Sequence, residues 1–345
     1  MPNGMKALIK PVAARGARLI DLPIPEPGPG EVLVKVKAAS ICGTDVHIYT
    51  WDPWAQDRVN PPLVFGHEFA GDVVKVGPGV ANLVVGNFVS AETHIVCNTC
   101  QMCRTGNAHV CQNYQIIGVD RQGCFAEYIV IPAANAWLNQ AGLDPAIAAL
   151  QEPLGNAVHT VFAGPVVAKT ILIIGCGPIG LLAAGVAAAA GAGRIIAADV
   201  NPYRLELALR MGATDIIDCE KNDLIYAVTQ LCGKVDVVYE MSGAPLSIAQ
   251  GLKLLQNAGQ MSVLGIPAQK VTLDITKDVV FKGVTLKGIT GRAMYQSWYI
   301  ARGLLESGKL NVQPLLTHSF GLAEYQQAFA VMIAGNSGKV TLIPD

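Results

Sequence analysis

Charge is scarce in this 345-residue chain: Asp, Glu, Lys and Arg make up 15% of it, and the formal net charge is -1. Lys and Arg never gather into one run, so neither nucleic acid nor an anionic membrane surface is an expected partner. The N-terminal stretch MPNGMKALIKPVAARG lacks an apolar core of signal-peptide length and a following small-residue cleavage site. A cytoplasmic protein is expected, and disulfides among its nine cysteines are not. A membrane span is not expected either. Residues 170–193, TILIIGCGPIGLLAAGVAAAAGAG, carry no charge and reach spanning length. Their Gly-Cys-Gly-Pro centre and Ala/Gly-rich second half read instead as a strand, a tight turn and a small-residue helix. What remains is a chain long enough for two domains with separate cores, suited to a small-molecule partner.

The cysteines are concentrated. Four of the nine fall in CNTCQMCRTGNAHVC, residues 97–111, as Cys97, Cys100, Cys103 and Cys111 with the spacing C-x2-C-x2-C-x7-C. A short loop so spaced folds its thiolates around one tetrahedral ion, and structural zinc sites use such sets. An iron–sulfur cluster also takes four thiolates, but the fourth spacing and the missing trailing proline differ from ferredoxins. The third reading is four thiols without a shared ligand. Zinc as a structural clamp is the expectation.

A second constellation is looser. ICGTDVHIY supplies Cys42, Thr44, Asp45 and His47, and VFGHEFAG supplies His67 and Glu68. Singly, each has an ordinary role: a small core thiol, a satisfied buried histidine, half of an ion pair. Together they offer thiolate, imidazole and carboxylate, a set that suits zinc with an open coordination position. The residues alone leave both readings standing.

Residues 170–204 add context. The apolar TILIIGCGPIG runs into Gly175-x-Gly177-x-x-Gly180, an Ala-rich stretch follows, and a second apolar run, RIIAADV, contains Asp199 near its end. Strand, glycine turn, helix and an acid at the next strand end form the dinucleotide-binding arrangement. The glycines admit a pyrophosphate to backbone amides at the helix N-terminus, and a carboxylate at Asp199 accepts from the ribose hydroxyls. An acid there repels a 2′-phosphate, which favours NAD over NADP. KVDVVYEMSGAP (234–245), GQMSVLGIP (259–267) and GVTLKGITG (283–291) continue the pattern, so a doubly wound parallel sheet is expected over about 158–292.

GHEFAG after CGTD, the four-cysteine lobe and the later glycine motif together resemble the zinc-dependent medium-chain alcohol dehydrogenases, across essentially the whole chain. The resemblance implies an α/β protein: a GroES-like, mostly β catalytic domain (1–157, with the zinc lobe at about 97–111), a Rossmann-type NAD-binding domain (158–292), and a C-terminal return to the catalytic domain (293–345). The blocks WDPW, GCFAEYIVIPAANA, EPLGNAVHT, DVNPYRLELA, EMSGAP, LGIP, GITGRAMYQSWY and SGKV resemble, in order, those of family members that act on L-threonine. The implied reaction is NAD-dependent oxidation of its side-chain hydroxyl to 2-amino-3-ketobutyrate, in threonine catabolism. A polyol or 2,3-butanediol is the alternative substrate, since pocket walls set specificity. A non-catalytic NAD-binding protein on the same fold is the alternative of another class.

Roles follow from the same resemblance. Cys42, His67 and Glu68 match catalytic zinc ligands, and Cys97, Cys100, Cys103 and Cys111 a structural zinc, giving two zinc ions per subunit. Thr44 and His47 match a proton relay, and Glu152 an acidic position that either approaches the zinc or assists the relay. Gly175, Gly177 and Gly180 form the pyrophosphate turn. Ile179, Asp199, Arg204, Leu264, Gly265, Ile266, Ile289 and Thr290 match NAD contacts. A homotetramer is implied, as is functional coupling to a 2-amino-3-ketobutyrate CoA ligase that consumes the unstable β-keto acid.

Other residues draw attention without a firm role. His94 is read as a substrate contact or, alternatively, an ordinary structural residue. Trp51 and Trp54 are read chiefly as packing, and Arg292 as a carboxylate anchor or an ion-pair partner. Cys124, Cys176, Cys219 and Cys232 are expected to be buried small residues. His109 is not expected to be a ligand beside four thiolates, and His159 and His318 stay unassigned.

Overall fold

A computed structural model describes residues 4–344; residues 1–3 and 345, the ends of the expected catalytic domain, lie outside it. The chain divides into two compact units, one running through Glu152 and resuming at Leu316, the other Pro153–Leu315.

The first unit is built on the strand Glu31–Ser40, EVLVKVKAAS. Val32, Leu33, Val34 and Val36 are buried while Lys35 and Lys37 face water, so one strand serves the interior and the surface by turns. It lies in a seven-stranded sheet ordered Ala136–Leu138, Phe88–Ala91, Glu68–Val76, Glu31–Ser40, Lys339–Ile343, Leu316–Gly321, with Tyr128–Pro132 also pairing the central strand. A three-stranded sheet orders Arg18–Leu22, Met5–Lys10 and Leu63–Val64. Phe65, Phe69, Phe125 and Phe329 belong to the core, with Phe65 and Phe125 edge to face at 5.1 Å. The register brings three strand ends together: Ser40 pairs Glu68, and Thr341 pairs Ser40. Just ahead of His67, Gly66 has φ +90°, and a Cβ there would lie 2.5 Å from the Phe125 ring. Only glycine delivers the histidine over that ring.

The second unit carries a six-stranded parallel sheet ordered Asp215–Asp218, Arg194–Asp199, Thr170–Ile174, Val235–Glu240, Leu255–Val263, Thr285–Gly288. Numbered along the chain this is 3-2-1-4-5-6, the doubly wound order, whose ligand crevice opens where the order reverses between strands one and four. The apolar 170–193 segment is strand Thr170–Ile174 followed by helix Pro178–Ala189, which buries Gly180 through Ala187. Among the described residues no helix is long and apolar enough to cross a membrane.

Two features differ from the sequence expectation. Strand Asp215–Asp218 carries only two apolar residues between aspartates and sits at the sheet edge, so it leaves almost no periodic signal. The second unit also begins at 153 rather than 158 and keeps 293–315, which the sequence assigns to the catalytic domain. The reason is packing: Leu310 and Val312 are buried, Leu310 fits against Gly185 of helix Pro178–Ala189, and the turn Gln313–Leu315 lies on that helix and on Pro202–Arg210.

Candidate active site

Cys42 stands at the N-cap of helix Gly43–Thr50, where its backbone N–H donates to Asp45 Oδ2 at 2.8 Å. His67 and Glu68 open the neighbouring strand, and one potential ligand atom from each of Cys42, His67 and Glu68 lies within 4.8 Å of the others. The donors of a tetrahedral zinc at about 2.0–2.3 Å from the ion stand about 3.3–3.8 Å apart, so this spacing fits with slight contraction.

The surroundings aim these donors. Glu68 is fully buried; its Oε2 accepts from Ser40 Oγ and Lys339 Nζ, while Oε1 is buried with no hydrogen-bond partner. Lys339, itself 1% exposed, also donates to the Ile41 carbonyl at 3.1 Å. The carboxylate is thus held by one oxygen and presents the other. Asp45, fully buried, faces His67 Nδ1 at 3.5 Å, the carboxylate–imidazole pairing that orients a metal-binding histidine. Burial pushes Asp45 up to about 6 against the pull of His67. For His67 burial acts downward, but Asp45 and Cys42 outweigh it and push the imidazole up to about 10. Such a shift marks an excess of buried negative donors, the setting that draws in a cation. The donor set fits a zinc ion.

Thr44 Oγ1 lies 3.8 Å from Cys42 Sγ. Along the same helix His47 Nδ1 contacts Asp52 Oδ2. Glu152 is buried and accepts from Thr93 Oγ1 at 2.9 Å, outside the close donor group. His94 is buried, its ring 5.4 Å from Tyr114. Trp51, half-buried in the left-handed region at φ 61°, packs against the core under Lys10 Nζ, 4.8 Å from its ring. Trp54 leans on His47 at 5.9 Å.

The four-cysteine lobe closes on itself. Sulfur separations are 3.5 Å for Cys100–Cys103, 3.8 Å for Cys100–Cys111 and 3.5 Å for Cys97–Cys111. A tetrahedron with bonds of about 2.3 Å requires about 3.8 Å. Backbone N–H groups of Cys97, Cys100 and Asn113 point at sulfur, at 3.3–3.4 Å. The Thr99 side chain and backbone N–H groups draw Cys97 down to about 5, whereas burial and the adjoining sulfurs push Cys103 up to about 12. Four such sulfurs ionise together only around a cation, so this lobe too fits zinc. His109 lies outside the set. No cysteine is disulfide-bonded, and Cys124 and Cys176 are buried as expected. Cys219 and Cys232 are half-exposed, contrary to expectation, because each lies near the rim of its element.

In the second unit, Gly175 has φ +100°, and a Cβ there would lie 2.7 Å from Ser242 N; one on Gly180 would lie 2.0 Å from the Gly175 carbonyl. Around Gly177 a Cβ would meet nothing within 4 Å, which leaves the open cradle a pyrophosphate needs. Asp199 Oδ2 accepts from Cys176 N at 2.5 Å and Oδ1 from Asn201 N at 2.8 Å, and Asn201 in turn caps the helix bearing Arg204. Ile179 lies in the first turn of helix Pro178–Ala189. Leu264 N and Gly265 N donate to the Glu240 carbonyl, Ile266 is exposed, and Ile289 N donates to Val263 with Thr290 exposed beside it. These segments gather at the C-terminal ends of the strands.

Sequence reasoning gave no role to Lys339, Ser40 or Glu240. Glu240, fully buried and raised by desolvation, accepts from Ser242 N at 2.9 Å and Gly243 N at 3.0 Å, bracing the turn beside Gly265. An acid closing the apolar run VDVVYE was the available signal. Arg292 is 1% exposed and donates to Asn156 Oδ1 at 3.3 Å, beneath Gly155. His159 Nδ1 meets the Gly291 carbonyl at 2.9 Å, and His318 Nδ1 the Thr317 hydroxyl at 2.9 Å.

Comparison with known proteins agrees with this geometry. Residues 28–140 match the alcohol dehydrogenase GroES-like domain family and residues 178–307 the zinc-binding dehydrogenase family. The chain is 53% identical to an L-threonine 3-dehydrogenase of Bacillus licheniformis, over 100% of both chains, and 54% identical to one of Bacillus subtilis, over 99% of both. Its fold is similar to that of a 2R,3R-butanediol dehydrogenase from Bacillus subtilis, with TM-score 0.90 and 29% identity, covering 99% of this chain and 100% of that one. Two family matches on the two units, and relatives similar from end to end, lead to one conclusion: the chain belongs to the zinc-dependent medium-chain alcohol dehydrogenase family.

Proposed function

We propose that the chain oxidises the side-chain hydroxyl of L-threonine to 2-amino-3-ketobutyrate, passing hydride to NAD and releasing one proton. The observation that carries the chemistry is the convergence of Cys42, His67 and Glu68, with Glu68 Oε1 buried and unpartnered. The substrate follows from the full-length similarity to L-threonine 3-dehydrogenases.

Cys42, His67 and Glu68 would hold the catalytic zinc, with Asp45 fixing His67 and with Lys339 and Ser40 fixing Glu68. A zinc there supplies Lewis acidity, making the substrate hydroxyl acidic near neutral pH. Thr44 accepts the hydroxyl proton and His47 delivers it to solvent. Glu152, held by Thr93, assists that relay from outside the ligand group. Gly175, Gly177 and Gly180 cradle the pyrophosphate of NAD; Asp199 accepts from its ribose and disfavours a 2′-phosphate. Ile179, Arg204, Leu264, Gly265, Ile266, Ile289 and Thr290 line the rest of its site. Cys97, Cys100, Cys103 and Cys111 clamp a second, structural zinc.

The product is a β-keto acid that loses carboxylate readily, which suits coupling in threonine catabolism to a cytoplasmic 2-amino-3-ketobutyrate CoA ligase. Self-association to a homotetramer is supported by the outer side of the edge strand Thr285–Gly288, which no strand among the described residues pairs and whose four residues are all exposed beside exposed Val280 and Phe281.

Cys42→Ser tests the assignment. The variant is expected to hold one zinc per chain where the parent holds two, and to lose most L-threonine-dependent turnover. Two zincs with unchanged turnover would overturn it.

A further inference from the structure

The WDPW motif, residues 51–54, carries an unassigned function. Helix Gly43–Thr50 ends when Trp51 enters the left-handed region, and helix Pro53–Arg58 begins at once with Asp52 as N-cap and Pro53 in its first turn. This reversal folds the motif back on the helix it has just left. Two of its four side chains then reach the same residue: Asp52 Oδ2 contacts His47 Nδ1, and the Trp54 ring leans against the His47 ring at 5.9 Å and 52°.

We propose that Asp52 is the positioning residue of His47, locking the imidazole in the tautomer whose proton sits on Nδ1 and leaving Nε2 as the nitrogen that works in the relay. The proposal rests on the relay role given to His47 above. An ionised carboxylate only accepts hydrogen bonds, so the ring nitrogen facing it must carry the proton. Neutral histidine left in water prefers the other tautomer, with Nε2 blocked by its own hydrogen. The carboxylate cannot swing away, because its second oxygen, Oδ1, accepts from Ala55 N at 3.0 Å as the helix cap. Backbone N–H groups of the helix start and His47 itself hold Asp52 below the usual carboxylate range, against the opposing effect of burial.

Apart from exposed Asp57 on the following helix, the other charged groups near this helix are committed elsewhere. Asp45 faces His67, Arg58 pairs with Asp120, and Lys10 Nζ donates to the Gly16 carbonyl at 3.0 Å and the Tyr49 carbonyl at 3.4 Å and lies over Trp51. The helix Tyr325–Ala334, packed against the same element, carries no charged side chain, and its Tyr325 hydroxyl donates to the Ala17 carbonyl at 3.0 Å.

Asp52→Asn separates this role from a merely structural one. Asparagine caps helices as well as aspartate, but it has one oxygen; with that oxygen on Ala55 N, its NH2 faces His47 and favours the opposite tautomer. Asp52→Ser keeps a cap and is too short to reach the ring. The readout is the 15N spectrum of histidine-labelled protein above pH 8, with the His47 signals among the six histidines assigned by a His47→Asn variant. The parent should show His47 protonated at Nδ1. Both Asp52 variants should shift it towards Nε2–H and lower kcat for L-threonine by up to about fivefold, the range of an exposed charge pair, with KM for NAD unchanged. An unaltered tautomer in well-folded variants overturns the inference. A shifted tautomer with unchanged kcat upholds the hold of Asp52 on His47 and removes His47 from the relay.

Discussion

At the residue scale, the centre of the site depends on a buried cation that no local motif announces. Lys339 lies 271 positions along the chain from Glu68, yet its ammonium contacts Glu68 Oε2 with both side chains at most 1% exposed. Removing one partner of such a pair strands the other charge in the interior. Lys339→Met is therefore expected to destabilise the fold by about 3–5 kcal/mol, measured by urea unfolding of the zinc-loaded protein. A loss below 1 kcal/mol would show that the pair contributes little. Cys42, His67 and Glu68 were legible as either a zinc set or ordinary structural residues, and the family resemblance favoured the first reading. Lys339 and Ser40 were not, since register across three strands, rather than spacing, brings them to Glu68.

At the element scale, local patterns read well and edges read poorly. The glycine turn and its flanking strand and helix were legible because the requirement is local: Gly175 needs φ +100°, and Gly180 needs the space that a Cβ would take from the Gly175 carbonyl. Strand Asp215–Asp218 was missed because an edge strand of four residues with two aspartates has no buried periodicity to display. The opposite edge, Thr285–Gly288, was found, and its exposure carries a consequence. Leu286, 44% exposed, lies on a strand that pairs Leu255–Val263 on one side and has no strand partner among the described residues on the other, the edge proposed above for the subunit contact. Leu286→Lys places a charge on that edge, a device that blocks strand addition. Light scattering should show a smaller assembly than the parent at equal concentration, with circular dichroism unchanged; an identical mass would remove this edge from the subunit contact.

At the scale of the whole molecule, the chain leaves its first unit after Glu152 and returns at Leu316. The existence of two units was legible from chain length, from the doubly wound pattern over about 158–292 and from the family resemblance, which alone implied the discontinuous first unit. Their borders were not: residues 293–315 stay with the parallel sheet through the burial of Leu310 and Val312, contacts that no sequence pattern specifies. Specificity also belongs to this scale, since a fold similar at TM-score 0.90 belongs to a dehydrogenase of another substrate, 2R,3R-butanediol. The most direct test of the account is NADH formation by zinc-loaded protein with L-threonine, beside 2,3-butanediol and sorbitol. The account predicts that kcat/KM is highest for L-threonine with NAD as acceptor. A clear preference for the diol or the polyol would contradict it.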